Sequence, residues 1–418
     1  MRVLLVGSGG REHALAWKLK QSPKLTALYC APGNPGISKI ATCAPIDASD
    51  VKALVAFAQE TRIDFVVVGP EVPLCLGLVD ALKSVGIVAF GPHQEAAQLE
   101  GSKAYAKAFM ERHGIPTAKY GRYDQVEAAM AALPAFGLPV VIKADGLAAG
   151  KGVVIAQTAN EAVEALKEML SGNRFGVAGH TVVIESFLKG IEASQLCLVD
   201  GQRIVPLESA QDYKRAFDGD LGPNTGGMGT YSPSRLYTPE LLDRIRVKVM
   251  EPFLEGLKKD GISYCGLIFI GLMIEDGEPS VIEFNVRFGD PETQSLMVRL
   301  EGDLLDILWT TANGHLDEGL LKWSNETAVC VVLAAEGYPD SYVKHARIDG
   351  LEAFESEEKA WVFHAGTTTV DEVLVSSGGR VLNVVACGAS MSKARDNAYR
   401  AMGHVKMPNS FYRGDIGE

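Results

Sequence analysis

Three short apolar runs, at residues 3 to 6, about 27 to 30 and 65 to 69, alternate with helical patterns at 12 to 20 and 50 to 60. Neighbouring parallel strands cannot be joined by a tight turn and need a crossover, here a helix, so this alternation dictates a small parallel sheet. It ends near Gly91-Pro92. A helix over 102 to 113 follows, closed by Gly114 and Pro116, then strands at 140 to 143, 152 to 156 and 181 to 185 with a helix at 160 to 171. Longer strands at 194 to 199, 203 to 208, 264 to 275 and 279 to 287 enclose a turn-rich stretch, 211 to 234. Strands at 328 to 334, 361 to 365 and 380 to 387 and a helix at 390 to 402 complete the pattern. The chain reads as an α/β unit over 1–100, a central unit made of 101–122 and 190–326, a lid-like lobe over 123–189 and a small strand-rich unit over 327–418.

At 418 residues the chain is too long for a single core. Its formal charge of −12 argues against sequence-independent binding of nucleic acid, so an anionic ligand must be met by a local cluster of cations. Seven cysteines without any Cys-x-x-Cys spacing sit mostly in apolar runs, as reduced thiols of a cytoplasmic protein do. The first residues enter a buried strand without the features of a signal peptide, and no stretch is long and apolar enough to span a membrane.

Residues 281 to 287 alternate as a strand should, which places Glu283, Asn285 and Arg287 on one face. A carboxylate and an amide oxygen two residues apart suit a magnesium or manganese ion that takes its remaining ligands from water and nucleotide phosphates. A guanidinium one step further can stabilise charge on a transferred phosphoryl group or a tetrahedral intermediate. An amphipathic strand with a solvated polar face has the same pattern.

Gly7-Ser8-Gly9-Gly10-Arg11-Glu12 joins the first strand to the first helix, where N–H groups and the helix dipole favour an anion. A dinucleotide fingerprint is excluded, because its third glycine falls at Glu12 and the second strand ends without an acid for a ribose hydroxyl. A monophosphate fits better, and a tight turn without ligand is the alternative. Glu71, at the end of another strand of this sheet, is either a ribose ligand or a solvated loop carboxylate. The stretch from Lys143 to Gly152 is one residue short of a P-loop before Lys151, has Gly152 where Ser or Thr is required, and joins strand to strand. It suits a mobile flap over phosphates, with Lys143 adding charge from below. An exposed strand end at Glu185 to Leu188 could pair with an adenine edge, with Phe187 covering the ring and Glu192 gripping ribose; scattered acids on a plain connection read the same way. Asp212-Tyr213-Lys214-Arg215 and the glycine-dense 223 to 230 form a long polar loop in which Asp212 could hold a cationic amine.

Together the flap with Lys143, the Glu185-x-Phe187 connection and the Glu283-x-Asn285-x-Arg287 strand resemble the ATP-grasp ligases. The chain is similar almost end to end to the glycinamide ribonucleotide synthetase family, most specifically at 223 to 229 and 283 to 294. Tyr213, where that family commonly has histidine, and Ser8, where asparagine is frequent, depart from its pattern. The resemblance implies a multidomain α/β fold: an N-terminal parallel α/β (pre-ATP-grasp) domain, an ATP-grasp central domain with a mobile α/β lid, and a small strand-rich C-terminal domain. It implies a ligase of purine biosynthesis joining glycine to 5-phosphoribosylamine through a glycyl phosphate, with ATP consumed to ADP and phosphate and with Mg2+ or Mn2+ required. The implied partners are these small molecules, with neither nucleic acid nor membrane, in a monomer or weak homodimer.

By the same resemblance Lys103, Lys143, Gly150, Lys151 and Gly152 contact ATP phosphates, Glu185, Phe187 and Leu188 surround adenine, and Glu192 holds ribose. Glu283 and Asn285 bind the metal, and Arg287 and Asp212 are catalytic. Gly9, Gly10 and Glu71 hold phosphoribosylamine, and Lys214, Asn224, Thr225, Gly226, Gly227 and Asp290 complete the substrate sites. Residues 265 to 274 carry no acid, so the metal leans on nucleotide oxygens and water. The rival readings are another ATP-grasp ligase or carboxylase, distinguished by dependence on bicarbonate in place of glycine, and an inert nucleotide-binding module, which the intact Glu283, Asn285 and Arg287 disfavour.

Overall fold

The computed structural model describes residues 1–147, 152–171 and 180–418. The amino-terminal sheet is fully parallel. Its order is Thr42–Cys43, Ala27–Pro32, Arg2–Gly7, Phe65–Val68 and Val88–Phe90, with the crossover helices Gly10–Leu19, Val51–Glu60 and Leu78–Ser84. Phe65–Val68 is buried at every residue, as expected of a parallel strand covered on both faces. The strand order reverses between Arg2–Gly7 and Phe65–Val68, so the carboxyl ends of these two parallel strands, at Gly7 and Gly69, open a crevice.

A four-stranded antiparallel sheet, ordered Tyr120–Tyr123, Val182–Ser186, Val140–Ala144 and Val153–Ala156, forms the lobe above. Ile142, Ile184, Ala162 and Leu166 close its own small core. Tyr120–Tyr123 starts this lobe slightly before the expected boundary. The central sheet runs Ile204–Pro206, Ile191–Val199, Gly266–Glu275 and Glu278–Asn285, all antiparallel. Its register slips beside Gly271: Gly271 faces Glu283 while Leu272 faces Val281, leaving Ile282 as a bulge.

The carboxyl-terminal sheet holds Thr327–Ala335, Arg380–Gly388 and Ala360–His364, backed by the helix Met391–Met402. It also takes Gln211–Asp212 and Gly229–Ser232 from the polar loop, a sharing the sequence division does not anticipate. The helix Glu292–Arg299 lies where these parts meet, packing against both Gly10–Leu19 and the strand Thr327–Ala335. It is buried although largely polar, and much of that polarity is partnered: Thr293 donates to the Gly289 carbonyl (2.6 Å), Ser295 meets Thr230 (2.6 Å), and Arg299 reaches Glu208 (3.0 Å) and Ser232 (2.7 Å). One apolar cluster accordingly runs from Leu5 and Leu15 through Phe288 and Leu296 to Cys330 and Val385, so the amino- and carboxyl-terminal parts share a core.

Candidate active site

A cavity of about 400 Å3 lies where the lobe, the central sheet and both terminal parts converge. Glu283, Asn285 and Arg287 line it, as the alternation requires, although the strand itself ends at Asn285. The three groups are chained: Asn285 donates to Glu283 (3.4 Å) and Arg287 donates to Asn285 Oδ1 (3.2 Å). Burial opposes ionisation of Glu283, but Lys143, Lys103 and Lys214 hold its pKa below the usual carboxylate range. No group of three or more His, Cys, Asp or Glu close enough for a metal occurs among the described residues. An ionised carboxylate and one amide oxygen, with no third acid, fit a hard divalent cation that draws its other ligands from phosphates and water.

Two lysines from the helix Lys103–Arg112 reach this wall because positions four apart share a helix face. Lys103 donates to the Gly146 carbonyl (2.9 Å). Lys107, absent from the sequence reading, pairs with Glu185 at 2.8 Å, and Lys143 pairs with the other oxygen of Glu185 at 2.8 Å. Glu185 thus lies buried between two cations and positions Lys143, while it also lines the cavity. Lys143 also donates to the bulged Ile282 carbonyl (3.2 Å). Burial lowers the pKa of Lys103, and brings that of Lys107 down to about 8 against the pull of Glu185.

Arg287 is gripped by Glu71 (3.2 Å) and Glu100 (3.0 Å). Glu100, which the sequence reading missed, also accepts from the Val286 N–H (2.7 Å), and burial with the nearby Glu71 pushes its pKa up to about 7 despite Arg287. Glu71 is itself held low by Arg287 and Arg11, which overcome its burial.

The glycine turn collects a carboxylate as its geometry demands, but that carboxylate is the chain's own. Glu12 accepts from the Gly9 N–H at 2.6 Å and pairs with Arg11 at 2.5 Å. A Cβ at Gly7 would lie 2.6 Å from Glu12 Cγ and one at Gly69 2.2 Å from Oε1, so Glu12 fills the crevice a dinucleotide would need. Two residues on, the Arg11 N–H donates to Asp290 (3.2 Å). Gly10 lies outside the cavity lining and faces protein: its Cβ would fall 2.2 Å from Asn383 Nδ2 and 2.7 Å from Gln294 Nε2.

On the far wall Lys214, Thr225, Gly226, Asp290 and Glu292 line the cavity, joined by Arg380 from the carboxyl-terminal sheet. Arg380 donates to the carbonyls of Gly226 (2.7 Å) and Asp290 (2.8 Å), tying the glycine-dense loop to the turn before the buried helix. Asp212 sits behind Lys214, with Nζ 2.7 Å from Oδ2. Asn224 and Gly227 belong to the same loop outside the lining, as do Phe187 and Leu188 on the connection after Val182–Ser186. Glu192 stands on Ile191–Val199, where burial raises its pKa although Lys214 is near. Gly152 lines the cavity, whereas Gly150 and Lys151 lie outside the described residues. Tyr213 turns away from the cavity: its hydroxyl accepts from the Gly417 N–H (3.0 Å) and Arg413 covers its ring at 4.8 Å, so this departure from the family pattern leaves the site untouched.

A cation-rich cleft between an antiparallel lobe and an antiparallel sheet, with an acid and an amide on the sheet's edge strand, defines an ATP-grasp enzyme. Residues 1–100, 101–293 and 328–418 match the N domain, the ATP-grasp (A) domain and the C domain of phosphoribosylglycinamide synthetase, and the chain belongs to that family. The phosphoribosylamine–glycine ligase of Brucella melitensis is 51% identical over 417 residues, covering 100% of this chain and 97% of that protein. The crystal structure of the Thermotoga maritima phosphoribosylamine–glycine ligase superposes with a TM-score of 0.88 at 35% identity, covering 99% of this chain and 100% of that one. The biotin carboxylase domain of Hydrogenobacter thermophilus 2-oxoglutarate carboxylase shares the fold, with a TM-score of 0.74 at 17% identity over 98% of this chain and 91% of that one.

Proposed function

We propose that this cleft joins glycine to 5-phosphoribosylamine at the expense of ATP, giving glycinamide ribonucleotide, ADP and phosphate in purine biosynthesis. The observation that carries the reading is the single cavity in which the Lys103 and Lys143 cations, the Glu283–Asn285 pair and Arg287 face the Lys214 and Asp290 wall. A carboxylate is a poor electrophile, so glycine's carboxylate oxygen first attacks the terminal phosphorus of ATP and ADP leaves. The amine of phosphoribosylamine then attacks the carbonyl carbon of glycyl phosphate, and the phosphate departs with the former carboxylate oxygen.

Lys103 and Lys143, the latter aimed by Glu185, meet the phosphates together with Gly152, and the family resemblance assigns Gly150 and Lys151 to the same phosphates. Phe187, Leu188 and Glu192 border the nucleoside. Arg287, braced by Glu71 and Glu100, stabilises charge on the moving phosphoryl group and on the tetrahedral intermediate. A divalent cation held by Glu283 and Asn285 neutralises phosphate charge when bound; the oxygen-only pair suits Mg2+ or Mn2+. Arg11, Glu71, Asp290 and the Gly9–Gly10 turn receive phosphoribosylamine, and Asp212, Lys214 and the loop from Asn224 through Thr225 and Gly226 to Gly227 receive glycine.

No helix among the described residues is long and apolar enough to cross a membrane, and all seven cysteines are free; the proposed state is a cytoplasmic monomer or weak dimer, as the family resemblance implies. Glycine labelled with heavy oxygen in its carboxylate tests the reaction: the label must appear in the released phosphate. Unlabelled phosphate with product formed would remove the acyl phosphate.

A further inference from the structure

Residues 215 to 224 leave the cavity wall as a hairpin and return to it. Arg215–Phe217 pairs with Leu221–Asn224 across the turn Asp218–Asp220 in a sheet of two strands, and its Phe217 and Leu221 are 50% and 66% exposed. A two-stranded hairpin standing free in water is marginally stable at best, so this one needs an anchor. Its ends matter to the site: Lys214 precedes it and Thr225 and Gly226 follow it on the cavity wall, with the Thr225 N–H donating to the Lys214 carbonyl (2.8 Å). The anchor comes from residues 411 to 417. Arg413, only 1% exposed, donates through Nη1 to the Arg215 carbonyl (3.1 Å) and to Asp220 Oδ1 (2.9 Å), while Nε and Nη2 grip the two oxygens of Asp415 (2.7 and 2.6 Å). Asp415 in turn accepts from the Gly219 N–H (2.8 Å), and Asp218 accepts from the Gly414 N–H (2.7 Å). The Phe411 ring lies 5.8 Å from that of Phe217. Tyr213, just before Lys214, is tied to the same segment through the Arg413 guanidinium and the Gly417 N–H. A buried guanidinium is costly unless its donors are met, and here the hairpin's first residue and its turn meet them, which fixes the hairpin against the segment.

We propose that Arg413 is a positioning residue for the reaction: by anchoring the hairpin to residues 413 to 415 it keeps Lys214, Thr225 and Gly226 in the arrangement that receives substrate. The inference rests on the reading that this wall receives glycine. Arg413 lies outside the cavity lining and acts through the hairpin. Without the anchor the hairpin is ordered for only part of the time, and the apparent affinity for glycine falls by that fraction. Saturating glycine draws the hairpin back to its ordered state, so the loss appears in the Michaelis constant and not in kcat.

Two variants test this beside the parent protein. Arg413→Met removes the donors, and Asp220→Asn removes an acceptor charge at an exposed turn position whose left-handed backbone asparagine tolerates. Chymotrypsin under native conditions should cut after Phe217 at least about fivefold faster in Arg413→Met and about twofold faster in Asp220→Asn, because cleavage follows the population of the opened hairpin. The Michaelis constant for glycine should rise by about the same factors, with that for ATP and kcat each within about twofold of the parent. Unchanged cleavage after Phe217 in both variants overturns the anchoring. An equal rise in the constant for ATP, or a fall in kcat that saturating glycine does not restore, makes Arg413 a general part of the folded structure and overturns the positioning role. Turnover of the parent protein that does not depend on glycine would instead overturn the reading beneath, and the cleavage comparison, which needs no substrate, still decides the anchoring. Where Arg413→Met does not fold, Asp220→Asn carries both measurements.

Discussion

Glu283 is the residue on which the proposed chemistry leans hardest, since Lys143, Lys103 and Lys214 all hold it ionised and, among the described residues, no cluster of acids or histidines offers a metal an alternative to Glu283 and Asn285. Glu283→Gln should therefore lower turnover at least about 100-fold, the upper end of what losing a metal-site partner costs, and raise the metal concentration needed for half activity. Near-normal turnover with unchanged metal dependence would remove the assignment. Lys107 acts one step back. Lys107→Met leaves Glu185 with Lys143 alone in a buried setting, so the variant should lose about 3 kcal/mol of stability by chemical denaturation, as broken buried pairs do. Its ATP constant should rise too, because Lys143 is then drawn toward Glu185; an unchanged melting curve would contradict this.

Elements with a clear period were legible in the sequence almost to the residue. The run 279 to 287 became Glu278–Asn285, and the helical pattern at 390 to 402 became Met391–Met402. Gln211–Asp212 and Gly229–Ser232 were not, because strands of two and four residues with small or polar side chains carry no period and are fixed by pairing with a distant sheet. Arg380 and Glu100 were missed for a related reason: their place in the site is set by tertiary contacts 90 and 186 residues away along the chain. Lys107 could have been found, lying four residues after Lys103 on one helix. The first helix shows how an element's role differs from its motif. Gly10 is needed because Asn383 and Gln294 press on it, so Gly10→Val should overpack this junction and lower stability by about 1–3 kcal/mol. A melting temperature equal to that of the parent protein would show that the junction can yield.

Across the whole molecule, the amino- and carboxyl-terminal parts are joined through His13, whose Nδ1 accepts from the His364 N–H at 2.8 Å. Burial lowers the pKa of His13 to about 3 and that of His364 to about 4, with the neighbouring charges of His364 and Lys39 adding to the first and Lys39 to the second. Both are neutral in the folded protein, while the unfolded chain binds protons below its histidine pKa of about 6.5. The stability these two rings contribute is therefore full above that pH and declines as pH falls toward 4, by up to about 1.4 kcal/mol per unit for each ring, while Glu100, raised to about 7, acts in the opposite sense. Thermal melts at about pH 7 and 5 should therefore show His13→Gln losing less on acidification than the parent protein; an equal change in both would place the titration elsewhere. The central claim concerns what the shared cavity does with its three substrates. Release of ADP from Mg-ATP should require glycine and 5-phosphoribosylamine together for multiple turnovers, with glycinamide ribonucleotide formed in equal amount and bicarbonate unable to replace glycine. ADP release driven by bicarbonate, or proceeding at full rate without either substrate, would contradict the account.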